Sequence, residues 1–218
     1  MRLCTTTKDF ANYFERDIDR IREISRAGFK YVDYSMISNE AQAYLLGLDF
    51  RSPSTKSGLE YVLDDSKLSA MKEVFGTDNV LPAHQGRACE NILASALVKP
   101  GQVALMNFHF TTTKAHITRL GGEVVEVIGK KGLVPDSDEP FKGDLNLEEL
   151  KKTIEKYGPE KVAFVRVEAG TNLIGGQPVS VQSFKDACAI ARKHGILSVL
   201  DASLLQDNLY FIKIRDEE

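Results

Sequence analysis

Apolar residues recur at three- and four-residue steps in some stretches and form short unbroken runs in others, and the two kinds of stretch alternate along most of the chain. Near the start, Phe10, Phe14, Ile18, Ile21 and Ile24, with charges between them and Gly28 beyond, predict an amphipathic helix. Residues 29–58 keep no period, are interrupted by Pro53, and read as an arm or linker. Asp64 or Asp65 can cap a helix presenting Leu68, Met71, Val74 and Phe75 before Gly76.

From there the alternation is regular. The pattern predicts a helix over about 87–98, a strand over 103–107, and a helix opening at the threonines and closing at Gly121 and Gly122. A strand over 124–128 and a charged loop over 130–143 follow. Asn146 and Glu149, spaced as a capping box, open a helix that buries Leu147, Leu150, Ile154 and Tyr157 and ends at Gly158-Pro159. Residues 162–167 form the next strand. Ser180 caps a helix carrying Phe184, Ala187 and Ala191 to Gly195, and residues 196–200 are a further strand. Strands separated by helices of this length need crossover connections, so the fold class is α/β, a mostly parallel sheet with helices on both faces.

Composition narrows the function classes. The 218 residues, 43% hydrophobic and 27% charged, suffice for one substantial core. The net charge of -3 and the lack of a basic patch interleaved with aromatics disfavour nucleic acid and anionic membrane as partners. The apolar runs are too short to span a bilayer and the N-terminus mixes charges from Arg2 onward, so a cytoplasmic protein is expected. Cys4, Cys89 and Cys188 lack metal-ligand spacing and read as buried, reduced thiols; the four histidines form no metal set, and no metal is expected. Neither a Gly-Xaa-Ser-Xaa-Gly turn nor a Walker-type loop is present, against a hydrolase or an NTPase.

Parallel sheets hold ligands outside the carboxyl ends of their strands, where several unusual residues fall. Gln85, Gly86 and Arg87 open a helix, where free N–H groups, a glycine and a cation suit a phosphate; a plain loop-to-helix turn with Arg87 in solvent fits the same residues. Asp201 ends an apolar strand and could hold a protonated pyridine nitrogen, or simply cap the next turn. Phe110 could cover an aromatic ring or fill the core. Asn172 could donate to a phenolic oxygen or order its own turn.

Taken together, Leu81-Pro-Ala-His-Gln-Gly-Arg87, Phe110-Thr-Thr-Thr-Lys-Ala-His116, Asn172-Leu-Ile-Gly-Gly-Gln-Pro-Val-Ser180 and Leu200-Asp-Ala-Ser203 resemble the tryptophanase and tyrosine phenol-lyase group of pyridoxal-phosphate-dependent β-eliminating lyases. The likeness runs from about Phe75 to Lys213 and includes Lys99-Pro-Gly-Gln102, Phe141-Lys-Gly-Asp144 and Asn208-Leu-Tyr-Phe-Ile-Lys213. It implies part of a fold type I large domain over 59–218, preceded by a helical arm and linker over 1–58. The cofactor it implies is pyridoxal 5'-phosphate. Gln85, Gly86 and Arg87 match the phosphate-binding turn, Phe110 the aromatic stacked on the ring, Asn172 the partner of the phenolic oxygen and Asp201 the partner of the pyridine nitrogen. Thr111 lies near the substrate. The implied reaction converts an aromatic amino acid to pyruvate, ammonia and a leaving group.

The departures are equally specific. Leu204 stands where the group carries an arginine, Tyr61 sits in the wrong context for the catalytic tyrosine, and Lys213 aligns outside the catalytic motif. The lysine that anchors the cofactor is expected beyond residue 218, so no catalytic residue is assigned. The reading is therefore an N-terminal part of such a lyase, inactive without a lysine-bearing C-terminal part, which a second chain could supply. A non-catalytic relative or a protein-interaction module retaining the fold is the alternative. An amino-acid substrate and a homo-oligomer are the partners that the resemblance implies.

Overall fold

The computed structural model describes Tyr31–Asp33, Ala83 and residues 86–216. The helices expected over Phe10–Ile24 and Leu68–Phe75, the domain boundary at 58/59 and Gln85 lie outside the described residues. Tyr31–Asp33, within the stretch read as arm or linker, forms strand β1. Thereafter come α1 (Gly86–Leu97), β2 (Val103–Met106), α2 (Thr111–Arg119), β3 (Glu123–Glu126), α3 (Leu147–Tyr157), β4 (Val162–Glu168), α4 (Val181–Lys193), β5 (Ser198–Asp201) and α5 (Leu205–Asp216).

The strands form one parallel sheet in the order β1-β5-β4-β2-β3. All described residues of β2, β4 and β5 are buried, as expected for a sheet covered on both faces, whereas β3 has exposed glutamates at each end. Chain order reverses around β2: β3 lies on one side of it and β4 on the other. With right-handed crossovers, the helix leading to β3 and those leading to β4 and β5 fall on opposite faces. The packing agrees, since α1 pairs with α2, and α3 with α4, which also covers β4 and β5. Ala94, Val98 and Ile117 meet Ala104, Met106, Phe164 and Val199 in one core cluster.

Local signals explain the boundaries. The Asn146 side chain accepts the Glu149 N–H at 3.1 Å to start α3, and the Ser180 hydroxyl accepts the Ser183 N–H at 3.1 Å to start α4. Residues 130–143, read as a charged loop, contain a short 3-10 turn, Lys130–Leu133. Cys188 is buried, and burial pushes its thiol up to about 11; Cys89 is only half-buried, which corrects the expectation for it, because α1 turns that side partly to solvent. Among the described residues no helix is long and apolar enough to cross a membrane.

Gly143 shows how tightly the loops at the carboxyl edge are layered. A Cβ there would lie 2.6 Å from Thr171 Oγ1, 2.7 Å from the Gln177 carbonyl and 2.8 Å from the Pro178 carbonyl. Two of the three obstacles are backbone, so the strain cannot be relieved by a rotamer change. Gly143→Ala is expected to lose about 2 kcal/mol of stability, read as a lower urea midpoint with unchanged slope.

Candidate functional site at the carboxyl edge of the sheet

The chain order reverses between β2 and β4, and the carboxyl ends of the strands at such a point are the usual place for a ligand in these sheets. Asn107, one residue past β2, is buried there. Its amide nitrogen donates to the carbonyls of Gly143 and Glu168 and to Thr171 Oγ1, each at 3.1 Å, and its oxygen accepts the Glu168 N–H at 3.0 Å. The side chain thus continues the β2/β4 ladder beyond Met106 by imitating a peptide group.

Beside it, Glu168 of β4 stands in register with Asp201 of β5. Side chains two apart on a strand share a face, so Arg166 lies with them. The Arg166 guanidinium donates to Asp201 Oδ2 and lies 3.5 Å from Glu168 Oε2. Both Arg166 and Glu168 side chains are 2% exposed. Asp201 is buried, and its other oxygen accepts the Ser203 N–H at 2.9 Å, the turn-capping contact weighed from sequence. Glu168 Oε1 accepts the Asn172 N–H at 3.2 Å. Two of the expected site residues, Asp201 and Asn172, are therefore joined by a chain of contacts through Arg166 and Glu168. Burial pushes the Glu168 carboxyl up to about 7, with the Asp201 charge adding to the rise and Arg166 opposing it.

The loop carrying Asn172 is held from below by α5. Asn208 Oδ1 accepts the N–H groups of Gly170 at 2.9 Å and Val179 at 2.7 Å, and its amide donates to the Val179 carbonyl at 2.9 Å. Gly170 has φ +69°, and a Cβ on it would meet Leu204 Cβ at 2.9 Å. Leu204, where the resembling group carries arginine, is thus a packing residue against this loop. Asn172 itself opens a short 3-10 turn and is exposed.

Gly86, Arg87, Phe110 and Thr111 reach the same edge by topology. Twelve residues of α1 run about 18 Å back along the sheet before a short turn enters β2, which leaves Gly86 and Arg87 at the carboxyl end. No acidic residue stands in the first turn of α1. Phe110 is the residue at which α2 begins, half-buried, and Thr111 follows it in solvent. Glu90 fixes the two helix starts together by accepting from Thr112 Oγ1 at 2.5 Å and from Thr113 Oγ1. Arg87 faces a groove of about 630 Å³ between α1 and α2, lined also by Asn91, Thr112, His116 and Arg119. That groove does not include Asp201 or Asn172, so Arg87 shares an edge with them without sharing their network. Arg166, Glu168, Asn107, Asn208 and Glu90 were not singled out from sequence. Two charges inside the apolar run Val-Ala-Phe-Val-Arg-Val-Glu were the one visible sign of the ion network.

Known enzymes are similar to this chain over about two thirds of its length. A tyrosine phenol-lyase of Clostridium tetani is 42% identical over 149 residues, 68% of this chain and 32% of that enzyme. A tyrosine phenol-lyase of Fusobacterium nucleatum is 42% identical over 147 residues, and a tryptophanase of Salinibacter ruber 38% identical over 148. The chain therefore spans about a third of the length of these relatives. Such enzymes depend on pyridoxal phosphate. The sequence profile of the beta-eliminating lyases matches residues 66–217, across the whole edge just described, and the chain belongs to the beta-eliminating lyase family.

Proposed function

We propose that this chain forms the ring- and phosphate-holding portion of a cytoplasmic pyridoxal-phosphate-dependent lyase. The enzyme eliminates the β-substituent of an aromatic amino acid and acts together with a lysine-bearing segment outside these residues. The observation that carries the reading is the buried Asp201 carboxylate at the end of a central strand, facing the same edge as the α1 start. The donor set fits the cofactor. A carboxylate offers about four acceptor positions, and Arg166 and Ser203 take two. Gly86 and Arg87 provide free N–H groups and a cation without a competing acid in that turn.

When bound, the cofactor ring supplies an electron sink for a carbanion on the substrate. Asp201 holds the proton on the pyridine nitrogen, Asn172 donates to the phenolic oxygen, Phe110 covers a ring face and excludes water, and Gly86 with Arg87 anchors the phosphate. The family resemblance assigns Gln85 to the phosphate as well, and Thr111 meets the substrate. A reading as a non-catalytic relative is favoured by Leu204, which packs against Gly170 in place of a further cation.

The test uses pyridoxine 5'-phosphate, whose hydroxymethyl group cannot be captured by surface lysines as an aldehyde would be. The 218-residue chain should bind it reversibly by equilibrium dialysis. Arg87→Ala should weaken binding at least about tenfold, the loss of one charge-assisted phosphate contact. Equally negligible binding by both proteins would remove the cofactor role.

A further inference from the structure

We propose that Glu90 is a positioning residue: from α1 it holds the first turn of α2 in place of a side-chain cap, and so fixes Phe110 and Thr111 relative to the phosphate turn at Gly86 and Arg87. The inference rests on the cofactor reading above and adds to it the residue that sets the spacing of its contacts.

The start of α2 lacks the device that opens α3 and α4. Asn146 and Ser180 cap those helices with side-chain oxygens, whereas Phe110 stands at the cap position of α2 and makes no side-chain cap hydrogen bond. An aromatic is a poor cap, although it is the residue type suited to covering a ring. Glu90 meets the shortfall from the neighbouring helix. Its Oε2 accepts from Thr112 Oγ1 at 2.5 Å and its Oε1 from Thr113 Oγ1, both in the first turn of α2. The first N–H groups of a helix lack intrahelical partners and form its positive end, where a carboxyl group is favourable.

Packing alone does not call for an acid here. Glu90 is 8% exposed, and Ala94, one turn further along α1, packs in the core cluster with Ile117 of α2. Taking an acid out of water costs free energy unless its oxygens are bonded, and an apolar side chain of similar size would join two helices without that cost. What the acid adds is direction. Its two oxygens are engaged by consecutive residues, so α2 cannot turn or slide on α1 without breaking a shielded bond. Phe110 and Thr111 directly precede these threonines, and Gly86 opens α1 about one turn before Glu90. One carboxyl group therefore ties the phosphate anchor to the ring cover across the helix pair.

The experiment measures pyridoxine 5'-phosphate affinity by equilibrium dialysis for the 218-residue chain, Glu90→Ala, Phe110→Ala and the double variant, with urea unfolding of each. Glu90→Ala should weaken binding about tenfold, the loss of one well-placed aromatic contact. In the Phe110→Ala background the same change should cost no more than about twofold, because no ring cover is left to misplace. Glu90→Gln, which keeps the volume and one acceptor oxygen, should recover most of the lost affinity. If Glu90→Ala does not fold, Thr112→Val removes one of the two bonds from the half-buried side and should show the same dependence on Phe110. Equal losses with and without Phe110, or no loss at all, would overturn the proposal while leaving Arg87-dependent binding intact. Absence of binding by wild type would instead overturn the cofactor reading, and this inference with it.

Discussion

Arg166→Met is expected to destabilise the fold by about 4 kcal/mol at pH 8, the cost of leaving a buried acidic pair without its cation. Methionine keeps much of the apolar stem, so the loss reports the charge more than the packing. The pH dependence separates this cause from a simple cavity. Glu168 is raised to about 7 in the folded protein against an ordinary 4.5, so the folded state holds its proton more strongly than the unfolded chain. Its contribution to stability is greatest below about 4.5, falls as pH rises, and levels off above about 7. Removing Arg166 takes away the influence that opposes the rise, so the decline continues beyond 7 in the variant. The gap between variant and wild type should therefore narrow by roughly 1 kcal/mol between pH 8 and pH 6. Urea unfolding at both values measures it, and a gap independent of pH would mean that Arg166 does not govern Glu168.

The alternation of helices and strands from residue 86 onward was legible because burial acts on it directly. A strand covered on both faces must be an unbroken apolar run, and a helix covering it must be apolar at three- and four-residue steps. The stops at Gly158 and Gly195 were legible for a backbone reason, since both take positive φ. Helix α5 was not anticipated. Its buried positions Leu205, Leu209 and Ile212 keep a helical spacing, yet Gln206 and Asn208 are buried among them and blur the apolar stripe. The end of strand β3 also shifted, because Ile128 leaves the parallel ladder for an antiparallel bridge to Leu145.

The site was legible in a different way. Asp201, Asn172, Phe110 and Arg87 could be placed at one edge from order alone, because a parallel sheet puts every strand's carboxyl end on the same side. What joins them could not. The Arg166–Asp201 pair spans 35 residues and Asn107–Glu168 spans 61, and each depends on strand order and register, which a single sequence does not disclose. A one-residue slip of β5 against β4 would turn Asp201 to the other face and break the pair. Arg166 and Glu168 also sit where the apolar run argues for burial, so their charges read as exceptions until the partner strand is known.

Asn107→Ala is expected to lose about 3 kcal/mol. The amide meets both polar groups of the Glu168 backbone and two further acceptors, all buried. Alanine would leave the Glu168 N–H and the Gly143 carbonyl without these bonds in a region closed to water, and each orphaned group costs about 1–3 kcal/mol. Thr171 Oγ1 is less affected, because it also lies 3.5 Å from the Glu168 carbonyl as a donor. Asn107→Asp should be worse than alanine above neutral pH. It keeps the acceptor for the Glu168 N–H but turns the donating nitrogen into an oxygen facing three acceptors, and it adds a further carboxylate near Glu168 and Asp201. Lowering the pH protonates the new acid and restores one donor, so the aspartate variant should recover relative to alanine as pH falls. Urea midpoints compare the two variants, while hydrogen exchange at the Glu168 amide reports the lost contact locally. An aspartate variant equal to alanine at every pH would mean that the amide fills space beyond β2 without pairing the strand ends.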